Sequence, residues 1–124
     1  QLIEHEVAPT SVRIDILLIE KAYKLCEKLQ INIDIIFMAA TYAFMSKFMA
    51  SDDVTVGYVQ NNRPEQPGSE NTFGYFLNLV PFRINYQGND STGLLDVINA
   101  QRNDILKYKQ YPYPLMQKEL GLSE

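Results

Sequence analysis

The residues whose types could do chemistry in this 124-residue chain are few: one histidine, one cysteine, a pair of adjacent acids and three polar or rigid residues set in an apolar run. His5 could act as a general base, but no serine, cysteine or acid motif stands beside it, and ordinary surface or core is the reading its surroundings favour. Cys26 falls on the apolar side of an expected helix and reads as a packed thiol, not a nucleophile. Asp52 and Asp53 could ligate a metal, yet adjacent acids at a strand start more often face solvent or cap a turn, so no metal site is assigned. The stretch Gly74 to Arg83, GYFLNLVPFR, is the informative one. It has the look of a buried strand, and Asn78, Pro81 and Arg83 each carry a cost there, because a buried amide or charge needs partners and a proline cannot donate to a sheet ladder.

Composition bounds what such residues can serve. The chain is long enough for one compact domain with its own core. Eleven Lys+Arg against fifteen Asp+Glu give a net charge of −4, and the basic residues are scattered, which argues against a nucleic-acid surface. A single cysteine excludes an intramolecular disulfide and a cysteine zinc site. The most apolar window, Ile35 to Met45, is shorter than the ~20 residues that span a bilayer and reads as a core helix. Gln1 is not a translation start, so the sequence is expected to be an excised piece of a longer one.

Periodicity then supplies the elements that position these residues. Leu2 to Val7 alternates as a strand with two unlike faces, and Thr10 to Ile14 is expected to extend or repeat it. Asp15 caps a helix over 16–29 whose apolar side carries Leu18, Ala22, Leu25 and Leu29, with Ile19, Tyr23 and Cys26 beside them. Asn32 is placed to cap a second helix over 33–49, apolar nearly all round. Its Phe37, Met38, Tyr42, Phe44, Met45, Phe48 and Met49 are expected to pack in a core and not to line a ligand groove. Residues 53–60 form a strand by β-branched content, 61–71 a loop, and 77–86 a second strand. The run GNDST turns and caps a third helix over 93–108, and YPYPLMQKELGL closes the chain as a proline-broken turn and short helix. The alternation predicts an α/β arrangement, a mixed sheet covered by helices. Gly74 is expected to permit a conformation or close approach that other residues forbid.

Three passages together resemble the second half of the condensation domain of nonribosomal peptide synthetases. DDVTVGYVQNNRP at 52–64 is similar to that family's acid pair, valine-rich strand, glycine, and arginine before proline. The GxFxN and PxR of Gly74, Phe76, Asn78, Pro81 and Arg83 match a family motif of that shape. YKQYPYPLM at 108–116 is similar to a short motif ending aromatic, proline, aromatic. Leu79 stands where a threonine is usual, and Tyr108 and Gln110 replace a usual histidine and acid.

The resemblance implies one lobe of a chloramphenicol acetyltransferase-like fold, with residues 1–124 as a single C-terminal subdomain facing a first lobe across a tunnel. In that family carrier proteins deliver phosphopantetheine arms from both ends, and an acceptor amine attacks a donor thioester. The implied partners are the first lobe, peptidyl or acyl carrier proteins and a neighbouring adenylation domain, in the cytoplasm, with no cofactor bound directly and neither nucleic acid nor membrane. The catalytic signature HHxxxDG is not in this sequence, where His5 is followed by Glu6 and Val7. No residue here is assigned as catalytic, and the fragment is expected to be inactive alone. The alternatives are a docking module of the same fold without chemistry, or an epimerising, cyclising or other acyltransferase relative.

Gly74, Tyr75, Phe76, Asn78 and Arg83 are the implied tunnel-lining or lobe-bracing residues, and Arg63 with Pro64 an implied bridging loop. Strict alternation sets Asn78 and Arg83 on opposite sides of a strand. Pro81 is therefore expected to mark a bulge or edge that lets both serve one region. A lobe taken alone is expected to expose apolar surface and to self-associate.

Overall fold

The computed structural model describes residues 11–122, so His5 and the expected strand at Leu2–Val7 lie outside the described residues. Two compact units divide the chain, Gln1–Ile33 and Asp34–Glu124.

In the first unit, residues 11–15 carry no regular structure, so the strand expected to run to Ile14 does not do so. Helix α1, Ile16–Leu29, starts where Asp15 adopts extended backbone and its Oδ1 accepts from the Leu17 amide at 2.7 Å. It ends on Gln30, left-handed at φ 54°, ψ 42°, whose amide closes onto the Cys26 carbonyl. Cys26 is buried, as a packed thiol should be, but it is the only buried residue of α1. Leu18, Tyr23 and Leu25 are exposed. None of the stripe residues Leu18, Ala22, Leu25 and Leu29 is buried, because a stripe does not itself supply a surface to bury against.

The second unit is built on a hairpin. Helix α2, Ile33–Met49, precedes strand β1, Asp53–Asn61; a 3₁₀ turn at Ser69–Asn71 lies in the connection to strand β2, Leu77–Asn85. Helices α3, Ser91–Leu106, and α4, Tyr113–Glu119, follow and both pack on β2. Among the described residues the sheet is these two antiparallel strands. Asp90 caps α3, its Oδ2 accepting from the Gly93 amide at 2.6 Å, so the helix begins two residues earlier than the sequence suggests. A Cβ at Gly93 would stand 2.6 Å from the Tyr86 hydroxyl, so a larger residue there requires that side chain to shift.

Period-two alternation sorts the hairpin. Even-numbered Val54, Val80, Phe82 and Ile84 are buried and meet Leu95, Ile98 and Ile105 as the apolar core of this unit, whereas odd-numbered Thr55, Gly57, Val59, Pro81 and Arg83 face outward. Phe82 is fully enclosed, with the Tyr58 ring edge-on to it at 5.5 Å between centroids.

Helix α2 departs from expectation. Ile35 and Tyr42 are its only buried residues, while Phe37, Phe44, Phe48 and Met49 are exposed, so the helix is not sheathed in core on every side. Tyr42 ties it to the hairpin's open end. Its hydroxyl donates to the carbonyls of Asp52 at 2.8 Å and Tyr86 at 3.0 Å, residues that flank the two strands. Tyr42→Phe keeps the ring and removes the hydroxyl; a loss of about 1–2 kcal/mol in urea unfolding is expected, typical of a part-buried hydrogen bond removed from one side.

Candidate functional site

Strand β2 distributes the GYFLNLVPFR residues among three different places. The register runs without interruption from Asp53 opposite Asn85 to Asn61 opposite Leu77, and Pro81 sits opposite Gly57. Of the bulge or edge expected at Pro81, the bulge is absent; among the described residues β2 is an edge strand, and Asn78 and Arg83 stay on opposite faces.

The ladder explains why a proline is harmless there. At the two ends of the register the Tyr86 amide donates to Asp52 O at 3.2 Å and the Asn62 amide to Phe76 O at 2.7 Å. Directly opposite residues that bond in this way recur every second position, so the even-numbered residues face each other and the odd-numbered ones turn N–H and C=O outward. Pro81 is odd. Its nitrogen points away from β1, and no ladder bond is lost.

Asn78 is half-buried on the core face and works as a clasp on the chain beyond α3. Its Nδ2 donates to Lys109 O at 2.9 Å and Tyr111 O at 2.7 Å, and its Oδ1 accepts from the Tyr113 amide at 3.2 Å. An amide is the neutral side chain that can donate twice and accept from one head group, which is what a strand-to-loop clasp requires. The motif at 108–116 is thus held by the asparagine of the motif at 74–83.

Arg83 lies outward and diagonal to Asp53, donating from Nε to Oδ1 at 2.8 Å and from Nη2 to Oδ2 at 2.5 Å. At 65% exposure the guanidinium is a surface group, and the pair tethers the strand ends with little stabilisation. The hydrogen bond from Arg83 holds the Asp53 carboxyl below its usual range, and Asp53 raises Arg83 in turn.

The loop between the strands is organised by Arg63. Its Nη1 donates to Ser69 O at 2.6 Å and Thr72 O at 2.8 Å, and the guanidinium lies over the Phe76 ring at 4.3 Å from its centre. Gly74 makes room for the same ring: a Cβ there would stand 3.2 Å from Phe76 Cζ. Close approach, not an unusual backbone angle, accounts for this glycine. Pro64 is exposed beside it, and Tyr75 is exposed to 86%. Lys109 reaches across to Glu65 at 2.8 Å, joining this loop to the clasped segment.

One cluster has no local signal in the sequence. Asp34, in the first turn of α2, accepts at Oδ2 from Arg102 Nε of α3 at 2.6 Å and from the Tyr58 hydroxyl of β1 at 3.2 Å. Burial works to lower Arg102, but Tyr58 and Asp34 outweigh it and hold the group raised. Sixty-eight residues separate Asp34 from Arg102, so no spacing rule could have joined them.

None of these groups is arranged as a nucleophile with its base. They are braces, and their carboxylates set an acid limit. Arg83 depresses Asp53, a hydrogen bond from Lys109 depresses Glu65, and hydrogen bonds from the Tyr86 hydroxyl and the Gly93 amide depress Asp90. Carboxyls with lowered folded-state values stabilise the fold above their unfolded values and lose that contribution as pH falls through the folded ones. Stability is thus expected to stay level from neutrality to about pH 5 and to decline below about pH 4 in thermal scans.

The family model described as "Condensation domain" matches residues 6–124. A plipastatin synthase protein of Bacillus subtilis (strain 168) is 28% identical over 96 residues, which are 77% of this chain and 4% of that protein. Gramicidin S synthase 2 of Brevibacillus brevis is 24% identical over 110 residues, 88% of this chain and 2% of that protein. Among solved structures, the condensation domain from Monacolin K polyketide synthase MokA superposes with a TM-score of 0.82 at 20% identity, over 90% of this chain and 25% of that one. The first condensation domain of the calcium-dependent antibiotic synthetase, in complex with a substrate analogue, gives 0.73 at 18% identity, over 82% and 23%. The chain therefore spans a few per cent of those curated proteins and about a quarter of those structures. Its fold is α/β and of the chloramphenicol acetyltransferase-like kind that those structures share. With a family match covering nearly its whole length, the chain belongs to the condensation domain family.

Proposed function

We propose that residues 1–124 are part of the second lobe of a nonribosomal peptide synthetase condensation domain. One observation carries this reading: the chain matches condensation domains over nearly all of its own length but only a quarter of theirs, and that quarter lacks HHxxxDG.

The parent's reaction joins two carrier-bound groups. The acceptor amine attacks the donor thioester carbonyl, a C–N bond forms, the C–S bond breaks, and the departing phosphopantetheine thiolate takes up the proton lost by nitrogen. Such a step needs a group to position or deprotonate the amine and donors for the oxyanion. In this chain the polar motif residues that the structure describes are committed to backbone and to one another: Asn78 to the 109–113 segment, Arg63 to its loop, Arg83 to Asp53. Their proposed role is to hold one wall of a tunnel, with Gly74, Tyr75 and Phe76 along it and Arg63 and Pro64 in a loop that reaches toward the first lobe. Carrier proteins, the first lobe and an adjacent adenylation domain in the cytoplasm complete the proposal, and the fragment is inactive by itself.

The test is amide synthesis from two loaded carrier proteins, followed by mass spectrometry. The complete domain encoded by the parent reading frame is expected to form product, while residues 1–124 alone and a complete domain with its second HHxxxDG histidine changed to alanine form none. Product from residues 1–124 alone overturns the reading. A folded complete domain that binds carriers, lacks the signature and makes no product replaces it with the docking module.

A further inference from the structure

Two irregular segments of the second unit are each ordered from within. In the connection between β1 and β2, the amides of Ser69, Asn71 and Thr72 donate to the carbonyls of Gln66, Gly68 and Ser69, all at 3.1 Å, and Arg63 is drawn across Ser69 and Thr72. In the stretch between α3 and α4, the Tyr111 amide donates to Tyr108 O at 2.9 Å and the Tyr113 amide to Asn78 Oδ1 at 3.2 Å. Among the described residues no backbone hydrogen bond joins the two segments. One side chain does.

That side chain belongs to Lys109, which is held at both ends. Its carbonyl accepts from Asn78 Nδ2 at 2.9 Å, and its Nζ donates to Glu65 Oε1 at 2.8 Å. The lysine side chain is 25% exposed, low for its type, against 85% for Glu65. An ordinary surface ion pair contributes little, because two long side chains must both be held still to make it. Here the anchored carbonyl and the covered stem already restrict one of the two. Lys107 and Asp104 give the contrast. Both are exposed, and the Lys107 amide already bonds the Asp104 carbonyl at 3.1 Å, so their ion pair connects nothing new.

An ion pair that forms only when two segments are both in place stabilises each of them by the same amount, and this reciprocity is a thermodynamic necessity. We propose that Lys109 is a positioning residue that couples the connection carrying Arg63 and Pro64 to the clasped stretch 107–113. Opening either segment loosens the other. The coupling goes beyond the condensation reading, since it rests on contacts inside this chain alone. It gives two stretches that the sequence marks separately, 52–64 and 108–116, a physical link.

Equal effects at two distant places are its mark, and amide hydrogen exchange reads them. Lys109→Met keeps the stem and the carbonyl and removes the charge. Exchange is expected to accelerate by one common factor, about twofold to fivefold, at Ser69, Asn71 and Thr72 and at Tyr111 and Tyr113. Glu65→Gln changes an exposed side chain with no packing to lose, and it should reproduce those rates. The double variant should be no faster than either single one, because both remove the same contact. In about 1 M NaCl the wild-type rates should approach those of the variants. Val54 and Val80 on the ladder should not change, which separates coupling from general destabilisation. Acceleration confined to one segment, unchanged rates in both, additive effects in the double variant, or equal acceleration at Val54 and Val80 overturns the proposal.

Discussion

Replacing Asn78 by alanine is expected to release the chain beyond α3 while leaving the hairpin in place. The side chain makes three hydrogen bonds to backbone at Lys109, Tyr111 and Tyr113, and alanine leaves two carbonyls and one amide without it. With each part-buried bond worth about 1 kcal/mol net, and some regained by water, a loss of roughly 2–3 kcal/mol is expected. The effect should be local first. Hydrogen exchange should accelerate through 107–122 by about tenfold or more before it changes at Val54 or Val80 on the ladder. Asn78→Asp sharpens the test, because a carboxylate accepts from Tyr113 but faces the Lys109 and Tyr111 carbonyls with no proton to give. It should be worse than alanine at neutral pH and improve relative to alanine as the carboxyl protonates below about pH 4. Equal exchange rates in wild type and Asn78→Ala would show that the clasp does not hold the segment.

Phe82→Ala is expected to have the largest effect of any single truncation in the second unit. Phe82 is 0% exposed and joins β2 to the Tyr58 ring. Removing a buried phenyl ring costs about 3–5 kcal/mol, transfer and residual cavity together. Since whole domains are stable by only about 5–15 kcal/mol, a large share of the fold's stability goes with it. Phe44→Ala is the matched control. That ring stacks on Phe48 at 6.0 Å but is 66% exposed, and its loss should stay within about 0.5 kcal/mol. Denaturant midpoints for the two variants should therefore separate widely. If they coincide, the core has been placed on the wrong face.

What the sequence disclosed follows from the range over which its signals act. The bounds of α1 and α2 were legible because capping and periodicity are local, and so was a cap within GNDST, which proves to be Asp90, although α3 starts two residues earlier than expected. The strands were legible from β-branched alternation. Burial was not, because it depends on what lies opposite: Leu18 and Phe48 have the types of core residues and are exposed. The GxFxN and PxR residues could be picked out, but their relation was misjudged at Pro81. A bulge or edge was expected there so that Asn78 and Arg83 could serve one region, but the register is unbroken and the two stay on opposite faces. Asn78 and the 109–113 segment were both marked by resemblance, yet their contact spans more than thirty residues, beyond any local rule. Asp34, Tyr58 and Arg102 were missed for the same reason.

In the proposed reading a first lobe covers the exposed aromatic face of α2 and carries the HHxxxDG signature. Complementation tests it most directly. Residues 1–124 and the first lobe encoded upstream in the same reading frame, produced separately and mixed, are predicted to form a one-to-one complex that makes amide product from two loaded carrier proteins, with neither piece active alone. Turnover by residues 1–124 without the first lobe, or two folded pieces that never associate, would contradict the account.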